Sequence, residues 1–315
     1  MTWRKHFWEH VVVTGGAGFV GSNLALEIQK RCPQAHIIIL DDFRSGSFAN
    51  LREFRGDCLA MDASVPGMAQ RLVAASPTLV FHLASITDTR ISDDRLMVHD
   101  NVQSFRAVLS ACLTEEIPLV YASSAATYGL NDSVMTEDTP AAPANVYGFS
   151  KMILDNMAFD AMKSHPKQHL VGLRYFNVYG PREAHKGHMA SMIYQLYEQM
   201  RAGNRPRVFK FGEQKRDFVY VKDVVEATLL GATAKKNGIY NVGCGEARSF
   251  NDLIAVLNEI LGTSFEPEYF DNPYEFTQSF TQADLTVAKK YLGYTPKFML
   301  EDGVADYVKW LQQDS

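Results

Sequence analysis

The stretch VVVTGGAGFVG, residues 11–21, constrains the fold more than any other part of the chain. Three β-branched valines, typical of a buried parallel strand, run into glycines that recur at every third position. An apolar pattern with the spacing of a helix follows at 24–28. Glycine at such a turn permits a tight bend and lets the backbone approach a pyrophosphate, which then faces the helix N-terminus. The segment therefore predicts a βαβ unit that binds a dinucleotide.

A second apolar segment, 36–40, ends in Asp41 about 20 residues after the last glycine of the turn. A carboxylate at this distance meets the adenosine ribose in dinucleotide-binding units. Asp41 and Asp42 favour the free 2′-hydroxyl of NAD. Arg44 favours the 2′-phosphate of NADP, unless it is a solvated loop arginine. The sequence leaves the choice between NAD and NADP open.

Further short apolar segments alternate with helical patterns at 56–61, 79–83, 119–122 and 170–175. This alternation predicts an α/β fold of the Rossmann type, with a doubly wound parallel sheet. Ligands of such sheets lie beyond the carboxyl ends of the strands, so we expect cofactor contacts there and at the glycine turn. The predicted cofactor contacts are Gly15, Gly18, Phe19, Val20, Gly21, Asp41, Asp42, Arg44, Asp62, Ala63, Leu83, Ala84, Ser85 and Asn101.

Composition argues against several classes of partner. The formal net charge is -5 at pH 7, and no basic run with interleaved aromatics is present to bind nucleic acid. Cys32, Cys58, Cys112 and Cys244 are dispersed without the spacing of a metal site or a disulfide framework, so we expect reduced thiols and no metal. No segment approaches the ~18 apolar residues of a membrane helix, and the N-terminus lacks the apolar core of a signal peptide. We therefore expect a cytoplasmic protein with no membrane partner.

Two further segments carry side chains suited to acid–base chemistry. LVYASSAATYG places Ser123 and Ser124 just past a predicted strand, and NVYGFSK places Tyr147 and Lys151 four residues apart on one helix face. An ammonium lowers the pKa of a nearby phenol, and a hydroxyl hydrogen-bonds the reacting oxygen, so this set would take a proton from an alcohol as its hydride leaves. Taken alone, the tyrosine–lysine pair is more often a helix surface pair. The glycine turn and the strand-end serine favour the catalytic interpretation.

TGGxGFxG, the strand-end serine and YxxxK together resemble the extended short-chain dehydrogenase/reductase family, and the resemblance covers essentially the whole chain. It implies a nicotinamide cofactor, NADP or NAD, that is tightly bound and recycled, with Ser124, Tyr147 and Lys151 in the catalytic positions. Dehydratases of the family follow the serine with an Asp-Glu pair that eliminates water, whereas this chain has Ala125 and Ala126. Alanine transfers no proton, so oxidation followed by re-reduction is favoured, and its outcome is epimerisation.

The second half of the chain, with FNVYGPR, HKGxMAS, KRDFVYVKDV and SFTQADL, resembles the branch of this family that epimerises C6″ of ADP-heptose, a precursor of the lipopolysaccharide core. The resemblance implies a 6″-ketone intermediate, with Lys186 as a second catalytic base. Lys186 and Val178 are also implied as cofactor contacts, beside Tyr147 and Lys151. An isolated lysine in a glycine-rich loop is more often solvated. The resemblance further implies a homo-oligomer, in that branch often a pentamer.

We expect residues 1–176 to form the dinucleotide-binding domain, which segments near 213–245 rejoin. Residues 177–315 are expected to form mainly a smaller, mixed α/β substrate domain. Arg216 is the candidate for the diphosphate because a guanidinium pairs with phosphate in a bidentate manner; its alternative is an ion pair with Asp217 or Asp223. The predicted substrate contacts are Thr87, Asn177, His188, Phe209, Phe211, Gly212, Arg216 and Thr277.

Four places depart from the pattern of the ADP-heptose branch. His188 stands where serine is usual, Gln195 where histidine is frequent, and Thr277 where a tyrosine often contacts the substrate; the segment 85–89 also differs. These departures keep open an epimerase or reductase of another nucleotide sugar. A third interpretation is a non-catalytic protein that senses a dinucleotide, although such a sensor has no need of the catalytic set.

Overall fold

The computed structural model of the protein describes residues 8–88, 93–272 and 278–313. Strands and helices alternate along most of the chain, as the sequence predicts. The strands are β1 (His10–Thr14), β2 (His36–Asp41), β3 (Asp57–Ala60), β4 (Leu79–His82), β5 (Leu119–Ser124), β6 (Leu170–Tyr175), β7 (Asn177–Tyr179), β8 (Arg207–Phe209), β9 (Lys215–Tyr220), β10 (Gly238–Val242), β11 (Ala247–Ser249) and β12 (Glu268–Phe270). The helices are α1 (Phe19–Arg31), α2 (Met68–Ala74), α3 (Asp94–Thr114), α4 (Val146–Ser164), α5 (Met192–Arg201), α6 (Val221–Gly231), α7 (Phe250–Leu261), α8 (Thr286–Tyr291) and α9 (Leu300–Gln313).

A parallel sheet with the strand order β10-β6-β5-β4-β1-β2-β3 forms the centre of the protein. The order reverses at β1, which pairs with β2 on one side and with β4 on the other. In doubly wound sheets the ligand crevice lies beyond the carboxyl ends of the strands at this reversal. The predicted Rossmann-type sheet is therefore confirmed, and its crevice lies where the glycine turn leaves β1.

The inner strands of the central sheet are buried on both faces, whereas the edge strand β3 is exposed. Val11 and Val13 of β1 belong to an apolar cluster with residues of α1 and α6, whereas Val12 belongs to a second cluster with residues of α2, α3 and α4. Successive side chains of a strand point to opposite faces. The uninterrupted valine run is therefore what a sheet between two helical layers requires.

The C-terminal part of the chain adds two smaller sheets, as the mixed α/β prediction expects. One has the order β11-β9-β7, and the other pairs β12 with β8. β10 follows β9 and precedes β11 in the chain, but it belongs to the central sheet, where it pairs in parallel with β6. The division of the chain at 176/177 into two domains stays a prediction. In the part of the chain that the structure describes, no helix is both long and apolar enough to cross a membrane.

Candidate functional site

The turn between β1 and α1 leaves no room for a side chain at Gly15 or at Gly21. Gly15 has a φ of 69°, and a Cβ there would lie 2.6 Å from the backbone nitrogen of Ala84. A Cβ on Gly21 would lie 2.1 Å from the carbonyl oxygen of Gly15. Gly18, the N-cap of α1, has no side chain that could fill the helix N-terminus. This backbone cradle fits the pyrophosphate of a dinucleotide.

A pocket at the end of β2, which we call the β2 pocket, collects most of the predicted cofactor contacts. It adjoins the glycine turn and extends to the ends of β3 and β4 and to the first half of α3. Its predicted contacts are Gly15, Gly18, Asp41, Asp42, Arg44, Asp62, Ala63, Leu83, Ala84, Ser85 and Asn101. Phe19, Val20 and Gly21 line the neighbouring cleft instead.

Asp41 joins the two loops that border the β2 pocket. Its carboxylate oxygens accept hydrogen bonds from the backbone nitrogens of Ala17 and Phe43, each at 2.9 Å. Burial raises the pKa of this carboxyl group, and the two backbone hydrogen bonds oppose that rise. The residue predicted to meet the ribose therefore also holds the glycine turn in place.

Arg44 has a set of partners that the sequence analysis did not anticipate. Its guanidinium lies 2.5 Å from Asp42, 3.1 Å from Asp62 and 2.6 Å from Asp100. Asp100 lies on α3, and its carboxylate is 9% exposed. All three nitrogens of Arg44 therefore pair with carboxylates, while its side chain stays 44% exposed in the loop.

Two buried side chains that the sequence analysis missed connect β1 and β4, the strands between which the ligand crevice begins. His82, the last residue of β4, places Nδ1 2.8 Å from the hydroxyl oxygen of Thr14 at the end of β1. Burial lowers the pKa of His82 to about 3, so the imidazole is neutral at physiological pH. The Thr14 oxygen also accepts hydrogen bonds from the backbone nitrogens of Leu83 and Ala84. This group ties the two strands together where the cofactor pocket begins.

A cleft of about 570 Å³ next to the β2 pocket brings together the predicted catalytic residues. Its walls come from the glycine turn, the ends of β4 and β5, the start of α4, and the segments around β7 and β9. The predicted residues that line it are Gly15, Gly18, Phe19, Val20, Gly21, Leu83, Ser85, Thr87, Ser124, Tyr147, Lys151, Asn177, Val178, Lys186 and Arg216. Residues from both predicted domains thus meet in one cavity, which we call the central cleft.

Tyr147 and Lys151 share one face of α4, whose N-cap is the side chain of Asn145. The Lys151 ammonium nitrogen lies 5.8 Å from the centre of the Tyr147 ring and donates a hydrogen bond to the carbonyl oxygen of Ala122 at 2.8 Å. Burial raises the pKa of Tyr147, and a hydrogen bond with Ser124 opposes that rise. Burial has the larger effect, so the pKa of Tyr147 stays above its ordinary value. Burial also lowers the pKa of Lys151 to about 8.

One turn beyond Lys151, α4 carries a buried carboxylate that the sequence analysis did not single out. Asp155 accepts hydrogen bonds from the Arg174 guanidinium and from the Tyr121 hydroxyl, both at 2.9 Å. Asp155 and Arg174 are 2% and 4% exposed, so this ion pair lies in the interior. The negative charge of Asp155 raises the pKa of Lys151 and partly offsets the effect of burial.

Lys186 lies in the turn Ala184–Met189, where its ammonium nitrogen is 5.5 Å from the centre of the Phe19 ring. Burial lowers its pKa, and the charge of Glu183 opposes that change. Glu183 is fully buried, and its carboxylate accepts hydrogen bonds from the backbone nitrogens of Gly180 and Ser191 and from the Ser191 hydroxyl. The carboxylate therefore joins the two ends of the Lys186 loop. Lys186 is not the solvated loop lysine of the alternative interpretation.

Arg216 points into the central cleft without an acidic partner among the described residues. Its guanidinium donates to the carbonyl oxygens of Lys215 and Gln278. Asp217 instead accepts backbone hydrogen bonds from Cys244, Gly245 and Ala283. Asp223 likewise accepts from the backbone of residues 297–298. Burial lowers the pKa of Arg216 to about 10, so a buried cation faces the cavity.

Several predicted substrate contacts lie apart from the lining of the central cleft. Phe209 and Phe211 stack edge-to-face against Phe270 and Tyr269 of the β8–β12 region, and Phe211 is 62% exposed. Gly212 follows in the same turn. His188 Nε2 lies 3.7 Å from a carboxylate oxygen of Asp88, so two departures from the ADP-heptose pattern contact each other. Thr277 lies outside the described residues. In the described part of the chain, no group of three His, Cys, Asp or Glu residues could hold a metal ion.

Comparison with known proteins identifies a family model and several solved epimerase structures that this chain resembles. The model of the NAD dependent epimerase/dehydratase family matches residues 11–243. ADP-L-glycero-D-manno-heptose-6-epimerase of Helicobacter pylori is 39% identical and superposes with a TM-score of 0.91 over 98% of both chains. UDP-glucose 4-epimerase of Thermotoga maritima, solved with UDP-glucose, is 29% identical with a TM-score of 0.89 over 97% of this chain and 99% of that one. UDP-glucuronic acid 4-epimerase of Bacillus cereus, solved with UDP-glucuronic acid and NAD, is 26% identical with a TM-score of 0.84 over 97% and 100% of the two chains.

Proposed function

We propose that this chain, which belongs to the NAD dependent epimerase/dehydratase family, inverts C6″ of ADP-D-glycero-β-D-manno-heptose to give the L-glycero isomer. At the coarser level the chain is a nucleotide-sugar epimerase, an isomerase that uses a nicotinamide cofactor. The finer proposal adds the heptose as substrate and lipopolysaccharide core precursors as the destination of the product. A cytoplasmic location and a homo-oligomeric assembly stay predictions.

The observation that carries the proposal is that Tyr147 and Lys186 line one cavity. The two side chains come from separate segments, the start of α4 and the turn before α5. Inversion at a carbon requires a proton carrier that serves the alcohol in each configuration, and two carriers in one cleft meet that need. Burial lowers the pKa of Lys186, which increases the fraction of neutral amine that can accept a proton.

The chemistry follows from these positions. The glycine turn and the β2 pocket would hold a nicotinamide dinucleotide, which in its oxidised form would supply the acceptor for the hydride of C6″ and the source of its return to the opposite face of the carbonyl carbon. Tyr147 or Lys186 takes the hydroxyl proton as the hydride leaves, and the other of the two gives a proton to the alkoxide oxygen after inversion. The Ser124 hydroxyl hydrogen-bonds the reacting oxygen, and Lys151 sets the electrostatics beneath Tyr147.

Two alanines argue against elimination of water at this site. Ala125 and Ala126 follow Ser124 in the short turn Ala125–Tyr128, and their methyl groups transfer no protons. Removal of water from a sugar needs an acid for the leaving hydroxyl and a base for the neighbouring carbon. Because Ala125 and Ala126 cannot serve as this acid and base, the site favours oxidation followed by re-reduction over elimination.

The diphosphate of the substrate is assigned to Arg216. This buried guanidinium lines the central cleft and pairs with backbone carbonyl oxygens rather than with a carboxylate. A phosphate would supply the missing negative charge in a bidentate geometry. The 39% identity to the Helicobacter pylori enzyme supports ADP-heptose as the sugar nucleotide. The contact between Asp88 and His188 favours a second candidate, an epimerase of another nucleotide sugar, because both positions depart from the ADP-heptose pattern.

A substrate panel tests the proposal. The protein as purified, without added cofactor, is incubated with ADP-D-glycero-β-D-manno-heptose, UDP-glucose or UDP-glucuronic acid, and proton NMR follows each sugar. We expect only the ADP-heptose spectrum to move to an equilibrium of the two C6″ isomers. Conversion of a UDP-sugar with an unchanged ADP-heptose spectrum would support the second candidate and refute the heptose assignment. The Y147F variant serves as the control for activity that does not come from this site.

A further inference from the structure

His185, the residue before Lys186, is connected to the glycine turn through a buried asparagine. Asn50 lies in the short turn that follows β2 and is 8% exposed. Its amide nitrogen lies 3.2 Å from Nδ1 of His185, 135 residues away in the chain, and donates a hydrogen bond to the carbonyl oxygen of Ala17 at 3.0 Å. Asn50 therefore bridges the glycine turn and the turn Ala184–Met189.

The donors and acceptors of this bridge determine the tautomer of His185. The Ala17 carbonyl can only accept, so the Asn50 atom that faces it is the amide nitrogen, whose second hydrogen faces His185 Nδ1. A ring nitrogen that accepts a hydrogen bond carries no proton, so the imidazole is neutral with its hydrogen on Nε2. A proton on Nδ1 would place two donors against each other and break the bridge.

The surroundings of His185 favour the neutral ring. Burial lowers the pKa of His185, and the positive charge of Lys186 acts in the same direction. Hydrogen bonds with the backbone of Arg182 and Ser45 and the negative charge of Asp41 oppose this change without cancelling it. The half-buried ring lines the central cleft beside Lys186. The bridge is therefore formed at neutral pH.

The two neighbours of Lys186 differ in how firmly they are held. Gly187 has a φ of 53°, and a Cβ built on it would have no heavy atom within 4 Å apart from its chain neighbours. That side of the turn is therefore open. His185, on the other side, is held by Asn50, whose backbone nitrogen in turn donates to the carbonyl oxygen of Ser47 at 3.1 Å. The backbone position of Lys186 is therefore set from the His185 side.

We propose that Asn50 and His185 are positioning residues that hold the Lys186 amine in the central cleft. Their hydrogen bond fixes the turn Ala184–Met189 to the glycine turn, so that the amine stays 5.5 Å from the ring of Phe19, the first residue of α1. A displacement of about 1 Å at a reacting group can cost about 100-fold in rate. The inference rests on the proton-carrier role that the proposed function gives to Lys186, and it is independent of which sugar is inverted.

Two substitutions of His185 separate its acceptor from its shape. H185F keeps a planar ring without the nitrogen that accepts from Asn50, whereas H185N places an amide oxygen near the position of Nδ1. With ADP-D-glycero-β-D-manno-heptose as substrate, we expect H185F to lower kcat about tenfold or more and to change KM by less than about twofold. H185N should keep at least about half of the wild-type kcat, because its acceptor remains. H165F, which changes an exposed histidine just after α4, is the matched control and should equal the wild type.

A double-mutant cycle tests whether the effect passes through Lys186. In a K186M background, H185F should lower kcat by less than about twofold, because the group that His185 positions is already absent. A purely structural change would lower kcat by the same factor in both backgrounds. N50A removes the donor of the same hydrogen bond and replaces H185F if that variant does not fold, since the Ala17 carbonyl keeps a hydrogen bond from the Ser47 backbone nitrogen.

The position of Lys186 also has a readout that needs no turnover. Limiting acetic anhydride is added to the purified protein over a range of pH, and mass spectrometry compares the acetylation of Lys186 with that of the exposed Lys163. Burial in the cleft lowers the pKa of Lys186. The midpoint of its acetylation should therefore move to higher pH in H185F and N50A, where the amine reaches solvent, and should stay in place in H185N.

The outcomes are distinct. H185F with the wild-type kcat, an equal loss of kcat in both backgrounds, an H185N variant as slow as H185F, or an unchanged acetylation midpoint in H185F would overturn the inference. If K186M keeps the wild-type turnover, or if the wild type converts no nucleotide sugar, the proton-carrier role in the proposed function fails. The acetylation midpoint then decides by itself whether Asn50 and His185 position Lys186.

Discussion

The ammonium group of Lys151 donates a hydrogen bond to the carbonyl oxygen of Ala122, 2.8 Å away, so the end of β5 fixes the lysine beneath Tyr147. Lys151 is 2% exposed, and burial lowers its pKa to about 8. A cation held in this position costs the folded state free energy, since the same ammonium is fully hydrated in the unfolded chain. Catalytic position and stability are therefore in conflict at this residue.

This conflict predicts a pH dependence of stability. The pKa of Lys151 in the folded protein, about 8, lies below its ordinary value of 10.5, so the cost is complete below pH 8 and disappears as the pH rises toward 10.5. The free energy of unfolding of the wild type, relative to K151M, should rise by about 2 kcal/mol between pH 7 and pH 9.5. Urea denaturation across this range measures it. K163M, which changes an exposed lysine of α4, is the control: the difference between the wild type and K163M should not change with pH. If the difference in the free energy of unfolding between the wild type and K151M is also independent of pH, the lowered pKa of Lys151 is refuted.

Y147F removes a proposed proton carrier and leaves the ring in place. We predict a loss of turnover of about 100- to 10,000-fold with the bound nicotinamide retained. The NMR assay measures turnover, and nucleotide release measures cofactor content. Y291F, which changes a tyrosine of α8, is the matched control and should keep full activity. Y147F with more than half of the wild-type turnover would exclude Tyr147 from the chemistry.

The R216M variant tests whether Arg216 serves substrate binding or the stability of the fold. The Arg216 guanidinium is buried without an acidic partner among the described residues, so a methionine of similar length should leave the melting temperature unchanged or raise it. The same change should raise KM for the nucleotide sugar about tenfold or more, because a charge-assisted hydrogen bond to phosphate is lost. R216K should give an intermediate KM. A lower melting temperature with an unchanged KM would show that Arg216 is structural.

E183Q tests the support of the Lys186 loop. The substitution replaces a carboxylate oxygen that accepts a hydrogen bond with an amide group that donates, beside the backbone of Gly180 and Ser191. We expect a loss of about 1–3 kcal/mol in the free energy of unfolding and a lower kcat, because Lys186 loses its fixed position. E198Q, on the exposed face of α5, is the control and should match the wild type. If E183Q also matches the wild type, Glu183 does not position Lys186.

Local patterns predicted the parts of the site that depend on local structure. The glycine turn, Asp41 and the Tyr147–Lys151 pair each depend on a strand end or on helix spacing, so neighbouring residues suffice to place them. The sheet followed from the alternation of apolar segments, whose β-branched residues pack on both faces. The site roles themselves stay predictions.

Contacts between distant segments were not predictable from these patterns. Arg44 and Asp100 are 56 residues apart, and the Asp155–Arg174 pair joins α4 to β6 across 19 residues. Asp88 and His188 each departed from the expected pattern, but only the fold shows that they contact each other. The extent of burial could not be predicted from the spacing either, and burial is what raises the pKa of Tyr147. Such effects depend on tertiary packing, which the spacing of residues along the sequence does not reveal.

The most direct test of the central claim follows the hydride. ADP-D-glycero-β-D-manno-heptose carrying deuterium at C6″ is mixed in light water with excess protein as purified, and deuterium NMR locates the label. We predict that the L-glycero product keeps its deuterium at C6″, because the hydride leaves and returns within the central cleft. Product with hydrogen at C6″ and the label in solvent would contradict the account, since the carbon would then exchange a proton with water.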